Sequence, residues 1–345
     1  MKPKTLLQAL FVGLFAIANS SVSESTELPD SGQSATEVSI AVTLLDLLEV
    51  NEPSQSFRAR GFLSLRWIDP DIRLENVDQP VEQTLLGSQA LAKLENIWWP
   101  QVEFINAIGA RTVENRELIL KTSGEREYRE IFDASFQSSY DLRKFPRDSQ
   151  QLKIAIESFA HPEDQLVWAI NREQSVVDAA VIDHVVEWEV VDHSAEVLHR
   201  KEVREETVFS EAVFTYDVER KMFFYFTRIF LPFSFFLLLS TCVFWMENDA
   251  LDRRVSIVFS ANLTAVAFSF FVSRQLPRVP YLTLMDQLII SGYLMTGICV
   301  ATVIAFERAK INGNERLWKS GNFLARFLMP SLYVIVWASI LVVSL

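Results

Sequence analysis

Residues 255–272 read VSIVFSANLTAVAFSFFV, an uncharged and mostly apolar run. Its length is close to the roughly 20 residues that a helix needs to cross a bilayer. The run also contains hydroxyl and amide side chains, at Ser256, Ser260, Asn262, Thr264 and Ser269. Polar groups inside a membrane need partners or water, so this span is expected to face a neighbouring helix or an aqueous path.

One face of this predicted helix carries an ordered series of side chains. Steps of three and four residues bring together Asp252, Ser256, Ser260, Leu263, Ala267, Phe270 and Arg274. Small polar residues also pack membrane helices together. The order of the series favours a pore, because an acidic ring, hydroxyls and an apolar constriction make a selective gate that dewets. A single helix cannot enclose a pore, so a cyclic homo-oligomer is predicted.

Three other apolar stretches are long enough to cross a bilayer. They are Met222 to Met246, Leu284 to Phe306 and Phe323 to Leu345. Four spans return the C-terminus to the side of the N-terminal half. The two connections expected in the cytoplasm carry the basic residues Arg253, Arg254, Arg308, Lys310, Arg316 and Lys319, in agreement with the positive-inside rule.

The N-terminus predicts export. Lys2 and Lys4 precede an apolar run from Leu6 to Ala18 that ends in small residues, as in a secretory signal peptide over residues 1–18. A signal anchor, the alternative, needs a longer run. Residues 19–36 are rich in Ser and are predicted to be a flexible mature N-terminus. Residues 37–220 and 221–345 are then a periplasmic domain and a pore domain of a multi-pass protein of the cell (inner) membrane.

Charge and cysteine content restrict the partners. The 345 residues include 32 basic and 44 acidic side chains, and all but six of the acidic ones precede Lys221. An acidic exported domain repels phosphate backbones, so nucleic acid is not expected as a partner. Cys242 and Cys299 both lie in apolar runs. The exported domain is therefore expected to fold without a disulfide.

The exported half has the pattern of a β-sandwich. Short alternating runs recur, such as Val38, Ile40 and Val42, or Ala134, Phe136, Ser138 and Tyr140. A helical pattern occurs only around Gln83 to Leu94. We predict an immunoglobulin-like, all-β sandwich of about ten antiparallel strands, followed by a four-helix transmembrane bundle.

The sequence shows no catalytic constellation, cofactor motif or metal-ligand spacing, so an enzyme is not expected. Four histidines occur, at His161, His184, His193 and His199. They are interpreted as surface residues, with proton sensing as the alternative because histidine titrates near neutral pH.

Several motifs resemble one family, the pentameric ligand-gated ion channels. The segment Phe145 to Gln150 (FPRDSQ) resembles the signature loop at the base of the family's sandwich, and Ser139 and Leu152 stand where animal members have paired cysteines. Further matches are Trp67 to Pro70, Trp99 to Asn106, Arg220, Pro232, and Leu276 to Tyr281 followed by Asp286 and Gln287. The chain is thus identified as a Cys-less prokaryotic member of this Cys-loop superfamily, most similar to the amine-gated bacterial channels. The segment Glu307 to Gly321, expected to be a loop, is too short for an intracellular domain.

The resemblance implies a homopentamer with a ligand site between neighbouring sandwiches. The residues that it assigns to that site are Phe62, Glu103, Arg129, Glu157, Phe159 and Phe209, with Phe62 contributed by the adjacent subunit. Aromatic faces and carboxylates suit an ammonium ligand. However, Thr43 replaces an aromatic of those relatives, Arg129 replaces a neutral amide, and His193 to Thr207 has no aromatic. An amine, a carboxylate and a change in pH therefore all stay open as the agonist.

The resemblance also implies how the signal reaches the pore. The residues expected to couple the domains are Glu49, Glu52, Phe145, Pro146, Asp148, Arg220, Pro277, Pro280 and Tyr281. A static salt-bridge network is the alternative. Asp252 is expected to form a ring selective for monovalent cations, since Arg253 and Arg254 point about 100 and 200 degrees away from it on a helix. A periplasmic sensor anchored by a bundle without a pore is the main rival function.

Overall fold

The computed structural model describes residues 35–69, 82–178, 187–201, 207–246, 251–276 and 278–343. The predicted signal peptide, residues 19–34 of the predicted flexible segment, Pro70, His184 and Pro277 lie outside these residues.

The described part of the N-terminal half is a sandwich of two sheets. One sheet has the strand order β3-β5-β6-β2-β1-β8 and the other β4-β7-β10-β9. The strands are β1 (Thr36–Asn51), β2 (Ser56–Ile68), β3 (Glu82–Leu86), β4 (Val102–Phe104), β5 (Thr112–Lys121), β6 (Glu125–Gln137), β7 (Ser149–Ser158), β8 (Leu166–Ile170), β9 (Trp188–Lys201) and β10 (Val208–Arg220). The predicted sandwich is confirmed. Its neighbouring strands are antiparallel except for β1 and β8, which pair in parallel.

Alternation along each strand builds the core. Val38, Ile40 and Val42 on β1 are at most 1% exposed, because side chains two residues apart point to the same face of a sheet. Gly61 on β2 lets Phe132 of β6 lie against the backbone, since a Cβ added at Gly61 would meet the ring Cζ at 2.4 Å. Only a residue without a side chain fits there.

The helical pattern around Gln83 to Leu94 is only partly correct. Residues Glu82–Leu86 form β3, which pairs with β5. Gly87 adopts a left-handed conformation, with φ of 54°, and the short helix α1 begins after it and covers Ser88–Leu94. Pairing with β5 outweighs the helical periodicity of the first residues, because propensity is weak relative to tertiary context.

Among the described residues from Met222 onward, four helices are long and apolar enough to cross a membrane, as predicted. They are α2 (Met222–Trp245), α3 (Leu251–Gln275), α4 (Leu284–Ile311) and α5 (Glu315–Val343). The expected loop Glu307 to Gly321 is mostly helical instead, because α4 and α5 extend past their apolar cores. The connection is the turn Asn312–Asn314, in which Gly313 has a positive φ of 81°.

Helix α4 holds the bundle together. Ser291 Oγ accepts a hydrogen bond from Trp337 Nε1 of α5 at 3.1 Å, and the Tyr293 hydroxyl donates to the Ala265 carbonyl of α3 at 3.3 Å. Thr283 caps the start of α4 through a reciprocal pair of bonds with Asp286, which stabilises the first turn.

Candidate functional site

Arg220, the last residue of β10, lies at the centre of a buried charge cluster at the base of the sandwich. Its guanidinium donates to Asp148 Oδ1 and to Glu52 Oε1, each at 2.7 Å. The Arg220 side chain has no exposed surface, and those of Asp148 and Glu52 are 2% and 13% exposed. Three of the residues expected to couple the domains are therefore in direct contact.

Aromatic rings enclose this guanidinium. Its central carbon lies 4.1 Å from the ring centre of Trp188 and 4.8 Å from that of Phe145, within the range of cation–π attraction. Burial alone would lower the pKa of Arg220, but the hydrogen bond and charge of Asp148 outweigh burial and raise it above its usual value. Arg220 therefore stays charged.

Tyr225 and Trp188 belong to this cluster, although the sequence did not indicate either. The Tyr225 hydroxyl accepts from Arg220 Nη1 at 2.9 Å and donates to Glu187 Oε2 at 3.3 Å. Tyr225 lies in the first turn of α2, so the cluster joins the sandwich to the first membrane helix. An aromatic residue at the start of an apolar span carries no signal for a polar partner across 38 residues of sequence.

A second contact joins the segment between β6 and β7 to the connection between α3 and α4. The Tyr281 hydroxyl accepts from the Leu142 amide at 3.0 Å, and the Arg143 guanidinium lies 4.7 Å from the Tyr281 ring centre. The Leu284 amide donates to the Arg143 carbonyl at 2.9 Å. The sandwich therefore contacts the connection between α3 and α4 and the first residue of α4. Pro280 lies exposed in the same connection.

Pro146 and Glu49 occupy different positions relative to the cluster. Pro146 follows a cis peptide bond after Phe145, which packs into the cluster. Glu49 is opposite Arg58 in the β1–β2 register and accepts a bond from Asn51 Nδ2 at 3.0 Å. Its side chain is exposed on β1, and only the following turn brings an acid, Glu52, to Arg220. The contacts of Glu49 in this chain are thus separate from those of Arg220, and its expected role in coupling stays a prediction.

The ordered face of α3 is directed away from the chain's own helix bundle. All seven of its residues are exposed, namely Asp252, Ser256, Ser260, Leu263, Ala267, Phe270 and Arg274. Leu263 and Phe270 are 71% and 65% exposed. The opposite face is buried against α2 and α4, and its buried residues are Arg254, Val258, Ala261, Ala265 and Val272.

Arg254 is directed away from this face and into the bundle. It is completely buried, and it donates to the Val243 carbonyl at 3.0 Å and to Asn322 Oδ1 at 2.8 Å. Asn322 in turn donates to the Phe244 carbonyl at 2.7 Å. A cation at the carbonyl end of a helix is favourable, so Arg254 connects α3 to the end of α2. Asp252 and Arg253 are both exposed at the start of α3.

The residues expected at the ligand site divide between the two sheets. Glu103 and Glu157 are opposite each other on β4 and β7, Phe159 follows β7 and is 72% exposed, and Phe209 lies on β10. Phe62 lies on β2 in the other sheet, as does Arg129 on β6. The residues expected at the ligand site therefore form two separate groups in one chain.

Arg200, a residue that sequence reasoning missed, binds Glu157. Its Nε donates to Glu157 Oε2 at 2.8 Å and its Nη2 bonds the other carboxylate oxygen, so that the pair is bidentate. Glu211, opposite Glu157 on β10, shares this environment. Burial and the charge of Glu157 raise the pKa of Glu211, although Arg200 acts in the opposite direction. Of the two carboxylates expected to bind an ammonium ligand, Glu157 is therefore already paired with an arginine of its own chain.

Phe62 and Arg129 line an open cavity of about 700 Å³. Arg129 donates to Glu127 at 2.9 Å and to Glu117 at 3.2 Å. Burial would raise the pKa of Glu127, but the bond with Arg129 and its charge, together with Arg66, lower it below its usual value. The charges of this wall are therefore paired.

The histidines differ in environment. His193 and His199 are exposed, and His199 Nδ1 lies 2.8 Å from Glu163 Oε1. His161 is half-buried against Trp98, with the ring centres 5.3 Å apart. Burial lowers the pKa of His161. In the part of the chain that the structure describes, no group of His, Cys, Asp and Glu side chains is arranged to hold a metal ion.

Comparison with known proteins decides the family. The model of the neurotransmitter-gated ion-channel ligand-binding domain matches residues 20–222, more than half of the chain. The chain belongs to the pentameric ligand-gated ion channels. It is therefore a multi-pass membrane protein with an extracellular domain, and this family consists of channels, not enzymes.

Two relatives illustrate the range of this channel family. A proton-gated ion channel of Gloeobacter violaceus is 24% identical over 298 residues, covering 86% of this chain and 80% of the relative. The gamma-aminobutyric acid receptor subunit beta-4 of Gallus gallus is 22% identical over 293 residues, covering 82% of this chain and 56% of the relative. The predicted membership of the Cys-loop superfamily is confirmed.

Proposed function

We propose that this chain is the subunit of a homopentameric, cation-selective channel whose pore is lined by α3. The observation that carries the proposal is the exposed face of α3, which runs from Asp252 through two hydroxyls to Leu263 and Phe270. The acid and the hydroxyls of this face need partners or water inside a membrane, which lipid cannot supply. Five copies around an axis supply that partner and an aqueous path.

Asp252 forms the selectivity ring in this proposal. Five carboxylates at one level attract cations and repel anions. Arg254 is turned into the bundle and bonded to carbonyls of α2, so it does not offset the ring. Ser256 and Ser260 then contact permeating ions, which are monovalent cations.

Leu263 and Phe270 form the gate. A ring of apolar side chains loses its water when it narrows, which blocks ions without a physical plug. Ala267 lies between them and leaves the pore wider at its level.

The signal arrives at the sandwich and passes through the Arg220 cluster and Tyr281. The two groups of ligand-site residues, with Glu157 in one and Phe62 in the other, form one site between adjacent subunits. A stimulus that changes the pairing of Glu52, Asp148 and Arg220 by a few kcal/mol is enough to shift a two-state equilibrium substantially.

The agonist is a small carboxylate, an amine or protons. The Arg200–Glu157 pair disfavours an amine, because a bound ammonium ion would have to compete with an arginine already in place. The proton-gated relative supports a pH stimulus. We also propose a signal peptide over residues 1–18, a periplasmic domain over residues 37–220, a pore domain over residues 221–345, and insertion in the inner membrane.

The test is current through a planar bilayer under asymmetric KCl, with the pH scanned first and small amines and carboxylates added afterwards. We expect discrete currents that reverse near the potassium potential. If protein shown to be an intact ring carried no current under any of these conditions, the result would favour a receptor without a pore.

Asp252→Ala is the decisive variant for selectivity. We expect its reversal potential to move toward zero, because the ring of five carboxylates is lost. Glu315→Ala is the matched control, since Glu315 is an exposed acid at the start of α5 and not on the α3 face. An unchanged reversal potential in Asp252→Ala, or an equal change in the control, would place selectivity elsewhere.

A further inference from the structure

Three acidic side chains form a row across the sheet that contains β4, β7, β10 and β9. Glu103 of β4 is opposite Glu157 of β7, and Glu157 is opposite Glu211 of β10. Side chains directly opposite on neighbouring strands lie on the same face of a sheet. Ile156 and Ala212, each next to one of these acids, are buried in the core, so the row lies on the face away from the core.

Arg200 of β9 supplies a cation to the middle of this row. It is opposite Phe209 of β10, so its side chain crosses β10 to reach Glu157 on β7. Its Nε donates to Glu157 Oε2 at 2.8 Å, and its Nη2 donates to the other carboxylate oxygen. Bidentate pairs between an arginine and a carboxylate are among the strong hydrogen bonds of proteins.

The row and Arg200 together keep an excess of acid. Like charges directly opposite each other on neighbouring strands are destabilising, yet three carboxylates are aligned here with one guanidinium. Burial and the charge of Glu157 raise the pKa of Glu211, although Arg200 acts in the opposite direction. Glu103 is exposed at the other end of the row. This part of the sheet therefore attracts small cations from solvent.

The acid that Arg200 holds is the one best shielded from water. The Glu157 side chain is 8% exposed, whereas that of Arg200 is 41% exposed. Water screens a nearly buried carboxylate little, so a cation in contact with it is held more strongly than at an exposed acid. Because the Arg200 side chain is half-exposed, its place on the sheet is open to solvent.

We propose that Arg200 is a specificity-determining residue, which occupies the cation position on Glu157 and so excludes ammonium and guanidinium ligands from it. The chain supplies its own cation where a ligand of that class would bind. Removing the side chain should open a site for a small cation beside a carboxylate that has lost its partner. Only the consequence for the choice of agonist rests on the proposed function; the exclusion of cations from Glu157 does not.

The test is isothermal titration calorimetry of the full-length protein, purified as an intact ring, with methylguanidinium as the probe. N-Methylurea has a similar shape without the charge and is the matched partner. We expect Arg200→Ala to bind one methylguanidinium per subunit, and the wild type to bind none at the same millimolar concentrations. N-Methylurea should bind Arg200→Ala at least about tenfold more weakly, because hydrogen bonds between two charged groups are stronger.

Three further variants assign this binding to Glu157. Arg200→Ala combined with Glu157→Gln should not bind the probe, because no carboxylate is left at this position. Arg200→Lys should behave as the wild type does, because a lysine restores a cation of the chain. Arg200→Gln removes the charge but keeps a donor for Glu157, so it should bind the probe more weakly than Arg200→Ala and better than the wild type. It carries the test if Arg200→Ala does not assemble.

The proposal is overturned if Arg200→Ala and Arg200→Gln bind no methylguanidinium, if the wild type binds it equally well, or if binding persists after Glu157→Gln. The pair would then be only a structural link between β9 and β7.

Currents recorded with and without methylguanidinium form a separate arm. The probe should change the stimulus for half-activation of Arg200→Ala and not that of the wild type. An unchanged stimulus in Arg200→Ala with occupied sites would refute the role in the choice of agonist. Binding to a ring that carries no current under any stimulus would count against the proposed function alone.

Discussion

Replacing Arg220 with Met should uncouple the two domains and destabilise the protein. The variant keeps an unbranched side chain between Trp188 and Phe145 but removes the charge. Asp148 and Glu52, which are 2% and 13% exposed, then lose the cation that neutralises them. Breaking a buried pair by removing one partner costs about 3–5 kcal/mol, since the remaining charge is left without compensation.

The expected loss can be measured as a melting temperature. For a domain of 150–250 residues, about 1 kcal/mol corresponds to 2–4 °C, so Arg220→Met should lower the melting temperature by roughly 6–20 °C. The melting temperature of Arg220→Lys should lie between those of the wild type and Arg220→Met, because a lysine restores the charge but not the bidentate geometry toward Asp148. In bilayers, Arg220→Met rings that remain assembled should need a stronger stimulus to open.

Arg58→Met is the control for the loss of an arginine. Arg58 pairs with Asp133 at 2.7 Å, but its side chain is 52% exposed, so solvent screens the pair and its loss should change stability little. If Arg220→Met melted and gated as Arg58→Met does, the cluster would be neither a stabilising nor a coupling element, and the reasoning would fail.

Three further predictions concern the gate, the core and His161. Leu263→Ser should lower the stimulus for half-activation about tenfold or more, because each leucine contributes roughly 1.5–3 kcal/mol of apolar burial to the closed gate and about 1.4 kcal/mol is a factor of ten. An equal shift in Leu294→Ser, at an exposed position of α4, would remove Leu263 from the gate. Gly61→Ala should lower the stability by about 1–3 kcal/mol, because its Cβ would lie 2.4 Å from the buried ring of Phe132. Thermal unfolding measures this loss. An unchanged melting temperature would contradict the close packing of Phe132 on Gly61. Burial lowers the pKa of His161 below its usual value of 6.5. As the pH falls through 6.5, the unfolded state therefore takes up the proton before the folded state does. The free energy of unfolding should then decrease by at most about 1.4 kcal/mol per pH unit below that pH. Melting of wild type and His161→Phe between about pH 7.5 and 5.5 checks this, and parallel curves would contradict it.

The membrane helices could be predicted from composition, but their ends could not. Apolar runs identify spans because backbone polar groups must be satisfied within the bilayer. Residues such as Glu307 and Arg316 lie beyond the apolar cores, and nothing in their polarity distinguishes a loop from an extended helix. In the structure α4 continues to Ile311 and α5 begins at Glu315.

The same division applies to the candidate site. The face of α3 follows from helical geometry alone, since residues three and four apart share a side. Motif resemblance indicated Arg220, Asp148 and Glu52. It could not indicate Arg200 or Tyr225, because a salt bridge or hydrogen bond between distant strands or domains depends on register and packing, which no local pattern carries.

The sequence by itself determined the class of the protein: a sandwich with alternating strands, four spans, and one span with an ordered polar face. These are properties of periodicity and length, which local residues specify without reference to the rest of the chain. Only the tertiary structure decided which charges are paired. It turned Arg254 into the bundle, gave Glu157 an arginine and left Glu49 outside the cluster. Each of these depends on side chains that meet across elements far apart in sequence, and their positions exist only once the elements have packed.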